Sequence, residues 1–384
     1  MRRLGSVLGP LATLLLSGAV HAASYTGIPL SILGLSQAGA VVANTQSLGA
    51  LAYNPANMAF HKSGYGIGIL GLYVHTSVQP PGQTGRIPAV TPHWGTTPNA
   101  FINAELTKNT RFGLALNEPY DSSIAWPASA FPALSGPSAG LVPTYTELQV
   151  YDASPNLTYR VGPVGVDAGA DYYYVRHFAA DTAATVANGS GNRFGGNVGV
   201  ASRIGPIGLG ATFRSAVNIP VGGATSIHLP WQMALGIHGT ITKRFGMEFD
   251  FARSGWTGFT SPATAAGPAV LASAGNVNSY RLGFEYGLGE GVALRAGLGY
   301  NDVSPAPFSA RLPAASQDVA SLGATQRTGP WTLSAGYEYI HFNTRTVDTE
   351  TTLTGADPNG TSAYNGSYRG SVQLFGLSFS RRFS

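Results

Sequence analysis

The sequence contains no cysteine, which excludes thiolate metal centres, disulfide frameworks and cysteine nucleophiles. Charge is scarce. The 22 Lys and Arg and 18 Asp and Glu make up 10% of 384 residues, where a soluble domain carries roughly 25%, so an ordinary solvated surface is a poor fit. Beyond the N-terminal segment there is no run of 18 or more apolar residues, so no helical membrane span follows it. The net charge is only +4, and Lys and Arg form no phosphate-tracking stripe, which argues against a nucleic-acid partner. Glycine, by contrast, is abundant. Its 51 residues are about 13% of the chain against a usual ~7%, while Gly and Pro together stay below the roughly 25–30% of low-complexity disorder. Many tight turns follow from that balance.

The first segment reads as an address. Arg2 and Arg3 give a positive start, Leu11 to Val20 is apolar, and Val20-His21-Ala22 has the small-x-small pattern of a cleavage site. Residues 1–22 are therefore expected to be a removed signal peptide, since Gly5, Gly9 and Pro10 leave the apolar run too short for an anchor.

From Ser63 onward, period-two segments of about ten residues recur between Gly, Pro, Asn or Thr turns. Fourteen candidate strands begin near Gly64, Asn99, Arg111, Thr144, Gly165, Arg193, Ile207, Thr225, Phe245, Asn278, Val292, Ala320, Trp331 and Ser367. Their connections alternate between tight turns, such as Ile241-Thr242-Lys243-Arg244, and long stretches, such as Pro127 to Pro143 and Ala179 to Asn192. Outer-membrane barrels sort their loops this way, short on the periplasmic rim and long outside. The side chains alternate as well. Met247, Phe249 and Phe251 oppose Glu248 and Asp250, and Leu294, Leu298 and Tyr300 oppose Arg295. A midplane Arg or Lys facing lipid costs about 2–4 kcal/mol, so the charged faces must look inward. Tyr172, Tyr174, Trp331, Tyr337 and Tyr339 fall where aromatic girdles belong. The expected fold is all-β, a membrane-spanning antiparallel barrel of fourteen strands over residues 63–384, preceded by a small segment at 23–62.

That segment carries Leu35 to Phe60, LSQAGAVVANTQSLGALAYNPANMAF, with an Asn54-Pro55-Ala56 turn. It resembles the lumen-plugging hatch of the FadL/TodX family of outer-membrane channels for long-chain fatty acids and hydrocarbons. Gly195 to Val200 with Phe213 to Val217, Asp250 to Trp256, and Leu294 to Gly297 followed by Tyr300 to Pro305 are similar to later motifs of that family, in order. Asn44 and Asn57 depart from it, standing where the hatch usually has Asp and Gly. The resemblance implies a monomeric, cofactor-free barrel in the outer membrane of a Gram-negative bacterium, meeting outer-membrane lipid and lipopolysaccharide. It implies passive transport of hydrophobic molecules, with capture by extracellular loops, gating by Asn54, Pro55 and Ala56, and sideways release into the bilayer. Such release has a physical reason, because each methylene gains roughly 0.8 kcal/mol on leaving water.

The residues suggest where these steps occur. Pro119 cannot donate to a ladder, which makes Pro119 and Tyr120 of the third strand a candidate lateral exit, unless Pro119 merely marks the strand's outer end. Trp126, Phe131, Leu134, Leu141 and Phe178 are candidates for capture on long loops, or for packing among those loops. Arg160, Arg281 and Arg295 are lumen candidates for a ligand carboxylate. The alternative is that they pair with Asp167, Asp171, Glu248, Asp250, Glu285 and Glu338, which would also anchor the hatch. Enzyme readings find little support. Gly66-Ile67-Gly68-Ile69-Leu70-Gly71 matches G-x-G-x-x-G inside a strand pattern, and there is neither H-E-x-x-H, a close ligand pair for a metal, nor G-x-S-x-G. A general porin, an adhesive barrel and an outer-membrane lipid hydrolase remain as other readings of the same barrel.

Overall fold

The computed structural model describes residues 28–44, 47–90, 94–184, 186, 188–222, 225–256, 263–264, 267–268, 276–303, 313–348 and 364–383. The expected signal peptide lies outside them. Among the described residues the barrel sheet has, besides the two-residue strand Ile87–Pro88 that adds a short pairing at the end of the first strand, fourteen long strands. They are β1 (Gly64–Gln79), β2 (Trp94–Glu105), β3 (Thr110–Ile124), β4 (Pro143–Val161), β5 (Val164–Thr182), β6 (Asn188–Ile204), β7 (Ile207–Arg214), β8 (Trp231–Thr240), β9 (Phe245–Gly255), β10 (Val277–Gly289), β11 (Val292–Val303), β12 (Gln317–Thr328), β13 (Trp331–Val347) and β14 (Gly366–Arg382). Each pairs antiparallel with the next, and β1 closes on β14 from Gly64↔Arg382 to Gln79↔Ser367. Closure leaves no edge, which hydrocarbon requires because it cannot satisfy free backbone groups. The sequence Gly66 to Gly71 lies within β1 and opens no helix.

The alternation works as expected. Phe249, Leu294, Leu298 and Tyr300 are exposed on the outer wall, while Glu248, Asp250 and Arg295 are buried inside. Tyr174, Trp331 and Tyr339 are exposed as well, Trp331 at the first position of β13.

Three boundaries differ from the sequence expectation. The second strand starts at Trp94 rather than near Asn99. The strand expected near Thr225 starts at Trp231, and Thr225–Leu229 instead pairs with Val217–Gly222 in a separate hairpin. The long connection expected from Ala179 to Asn192 is shortened, since β5 runs to Thr182 and β6 restarts at Asn188. The last two changes share a cause. Val217, Ile219, Val221, Ile227 and Leu229 bury against Leu148, Val150, Val175 and Phe178, an apolar core built on the extended strands. The hairpin lies so close to β6 that a Cβ on Gly191 would sit 1.9 Å from the Pro220 carbonyl oxygen.

The chain before β1 packs inside the wall. Helix α1 (Ile32–Ser36) and two 3₁₀ turns, Leu48–Ala52 and Pro55–Phe60, contact strands around the barrel, including β1, β3, β5, β6 and β12 to β14. Glycines make that fit. Gly323, Gly336 and Gly376 are register partners across β12, β13 and β14, and α1 lies directly on them. A Cβ on Gly323 would meet Ser36 Oγ at 2.1 Å, and one on Gly376 would meet Ile32 Cδ1 at 2.4 Å. Gly323→Val should therefore push α1 off the wall at a cost of about 1–3 kcal/mol. The expected result is faster chymotrypsin cleavage within residues 28–62 of a barrel that still migrates as folded on unheated gels.

Candidate functional site

A cavity of about 210 Å³ sits between the inner segment and the wall. Its apolar lining includes Ile28, Leu30, Met233, Trp256, Val319 and Ile340, and its polar lining includes Tyr53, Tyr120, Gln232, Arg281 and Glu338. The site is built from several elements. Tyr120 of β3 meets Trp256, just past β9, edge to face at 5.8 Å, and its hydroxyl accepts from Gln232 Nε2 at 2.7 Å. Tyr53 of the inner segment accepts from the Leu30 amide at 2.9 Å, which fixes the chain at one side of the cavity. A concave, largely apolar space with a few placed polar groups is the usual form of a site for a small hydrophobic molecule.

The three candidate arginines separate. Arg281 lines the cavity, donating to the carbonyls of Tyr280 and Tyr300 at 3.1 and 3.2 Å and to Asn301 Oδ1. Among the described residues no carboxylate lies within ion-pair distance of it. Arg295 lies outside the cavity and is paired, its Nη2 standing 2.7 Å from Glu285. Arg160 is exposed at the short-turn end of β4, donating to Ala59 O at 3.4 Å and lying 5.1 Å over the Phe60 ring. Of the three, only Arg281 lines the cavity, while Arg295 follows the acid-pairing alternative.

The acids anchor the inner segment. Asp250 Oδ2 accepts from the amides of Val41 and Val42 at 2.7 and 2.9 Å, and Glu248 Oε1 accepts from Ala43 at 2.6 Å. Arg214 was not among the sequence candidates, yet it pairs with two carboxylates. It is buried between Asp152 and Asp171 and donates to Ala52 O at 3.1 Å. The available signal was an arginine in a Gly-rich strand pattern with aspartates on the strands before it. The Asn54-Pro55-Ala56 turn is a helix cap, in which Asn54 Oδ1 accepts from Ala56 N at 3.2 Å and Pro55 occupies the first turn, where its missing N–H costs nothing. Asn54 Nδ2 also donates to Val42 O and Val200 O, tying the turn to β6. Asn57, the departure noted above, donates to the same Val42 carbonyl at 3.1 Å.

The wall is incomplete at the candidate exit. β2 and β3 pair only from Glu105↔Arg111 to Ala100↔Leu116, although β2 extends back to Trp94 and β3 on to Ile124. Pro98 and Pro119 flank that break. On its other edge β3 shifts register against β4 between Asn117 and Tyr120, a bulge at Glu118 and Pro119. Pro119 and Tyr120 both line the cavity, so the break and the cavity share residues. Pro119 therefore lies within the strand rather than at its outer end.

Four of the five candidate capture residues take the packing alternative. Trp126, Phe131 and Leu134 are buried, packed with Val78, Val347 and Tyr368. Phe178 belongs to β5 and to the hairpin core. Leu141 alone of the five is exposed, its carbonyl accepting from Tyr364 Oη at 3.1 Å. The loop between β3 and β4 thus spends its aromatic side chains on its own seating, because burying such rings outweighs presenting them to water.

A closed barrel with an apolar internal cavity, a segment packed within its lumen and an outward-facing apolar band defines a transport channel of the bacterial outer membrane. Residues 181–383 match the family described as outer membrane protein transport protein (OMPP1/FadL/TodX), and the chain belongs to that family. It moves hydrophobic molecules passively across the Gram-negative outer membrane. Among solved structures it resembles a Pseudomonas aeruginosa FadL homologue (TM-score 0.73, 14% identity, covering 94% of this chain and 100% of that one). It also resembles the P. putida toluene transporter TodX (TM-score 0.67, 14% identity, 94% and 99%) and the Ralstonia pickettii toluene transporter TbuX (TM-score 0.64, 14% identity, 94% and 99%). No curated protein matches by sequence.

Proposed function

We propose that the cargo, a fatty acid or a neutral hydrocarbon, is captured at the extracellular loops around Leu141. It rests in the cavity against Trp256, Tyr120 and Met233, and leaves sideways between β2 and β3. Residues 23–62 form the hatch that blocks the axial route, held at the Asn54-Pro55-Ala56 turn, while Arg281 meets the carboxylate of an acidic cargo. The ladder break beside Pro119 is the observation that supports this reading, because it opens from the cavity toward the side of the barrel. An apolar chain leaving there exchanges cavity for lipid without crossing water.

The test uses the natural absence of cysteine. Thr97 and Glu118 face each other across the break, so Thr97→Cys with Glu118→Cys provides one pair in an otherwise thiol-free chain. Oxidation is expected to cut uptake of radiolabelled oleate and toluene at least fivefold, and reduction to restore it. A disulfide that forms fully, as read by thiol labelling, yet leaves both uptakes unchanged would rule out the lateral route.

A further inference from the structure

The short-turn end of the lumen carries a feature that transport of apolar cargo does not use. A second space, about 40 Å³, lies between the inner segment near Ser31 and Leu48 and strands β1, β2 and β11 to β14. By the measure in which one water needs roughly 10–15 Å³, it has room for a few waters or one tetrahedral ion. Arg295, Arg327 and Arg382 converge on it, joined by the hydroxyls of Ser334 and Ser378. Arg295 is neutralised by Glu285, whereas among the described residues no carboxylate reaches ion-pair distance of Arg327.

Asn99 supplies an independent sign. It is 5% exposed, lines the same space, and neither its Nδ2 nor its Oδ1 has a hydrogen-bond partner. A buried amide without a partner is unfavourable, and an oxyanion in the space would accept from Nδ2. The surrounding field has the matching sign. At His61, where the inner segment meets β1, burial and then the charges of Arg382, Arg111, Arg327 and Arg203 hold the imidazole down at about 3. It is therefore neutral at physiological pH and adds no further positive charge.

We propose that this space is an oxyanion site, taking a phosphate group on Arg327, Arg382 and Asn99, and that the bound anion ties the inner segment to β12–β14. Protein carboxylates hold that segment at β9, and an external anion holds it in another sector of the wall. Guanidinium groups suit such a ligand because they offer paired N–H donors to two oxygens at once.

The experiment is calorimetric titration of the full chain in zwitterion-free detergent with inorganic phosphate, against an equal ionic strength of chloride. Saturable one-to-one binding is expected, weakened at least tenfold by Arg327→Gln with Arg382→Gln and severalfold by Asn99→Leu alone. Unheated-gel mobility confirms that each variant is folded, and Asn99→Leu stands by itself if the double variant fails to fold. Competition by soluble dihexanoyl-phosphatidylglycerol would identify a lipid headgroup as the source of the phosphate, and its failure to compete would identify free anion; both support the site. No saturable binding to the wild type, or undiminished binding to the folded variants, would overturn it.

Discussion

Asp250→Ala is expected to loosen the inner segment from the wall. Its carboxylate is the acceptor for two consecutive amides, Val41 and Val42, both buried. Each N–H left without a partner costs about 1–3 kcal/mol. The side chain that remains nearby, Glu248, is already engaged with Ala43. Losing both bonds should shift the inner segment by about 2–5 kcal/mol toward detachment, since relief of the adjacent carboxylates' repulsion returns part of the cost. The readout is liposome swelling with a small sugar, where the wild type passes little and Asp250→Ala should pass several times more. Asp250→Asn retains one acceptor oxygen and should fall between them. Unchanged sugar flux in Asp250→Ala would mean that the segment is held elsewhere.

Arg214→Met should have the largest effect on stability. The arginine pairs with Asp152 and Asp171, and all three are buried. Removing one partner from a buried ionic group typically costs about 3–5 kcal/mol, most of it the penalty of stranding the remaining charge. Two carboxylates would be stranded here, and the Ala52 carbonyl would lose its donor as well. The urea midpoint of the folded-to-unfolded gel shift is expected to fall markedly. The triple variant with Asp152→Asn and Asp171→Asn should recover most of the loss, because it removes the uncompensated charge. If the triple variant is no more stable than Arg214→Met, the loss arises from packing rather than charge.

The wall was readable in the sequence because a barrel strand has a two-residue period with lipid on one side. Phe249 against Asp250, or Leu294 against Arg295, leaves only one orientation, and the structure adopts it. The short turns were readable for a similar reason, since residues such as Gly162, Gly205 and Gly329 take positive φ there. The hairpin of Val217–Gly222 and Thr225–Leu229 was a different case and was not readable. Its Val217, Ile219 and Val221 alternate as a membrane strand does, and only the partner core on β4 and β5 shows that they face protein rather than lipid. Pro119 could be read because proline has a fixed defect, the missing donor. The arginines could not be sorted from one another. Arg281, Arg295 and Arg214 all occupy inward positions, and whether each meets an acid depends on pairings between distant strands, such as Arg214 with Asp171 43 residues away. The loop aromatics stayed open between two readings for a related reason, since apolar side chains on a long loop look alike whether they serve cargo or the loop's own core.

The closure of β1 on β14 also constrains the order of assembly. The Phe383 amide donates to Ser63 O at 2.7 Å, so the last strand docks on the residue where the inner segment ends and the wall begins. Once that seam has formed, the described residues of the inner segment are enclosed by a closed wall whose ladder, among the described strands, is interrupted between β2 and β3. The N-terminal portion must therefore be seated while the cylinder is still an open sheet, and the final step joins parts of the chain that are farthest apart in sequence. Such long-range pairing is intrinsically slow. Biogenesis is thus a threading problem, in which the C-terminal strand acts as the zipper that seals a compartment already filled.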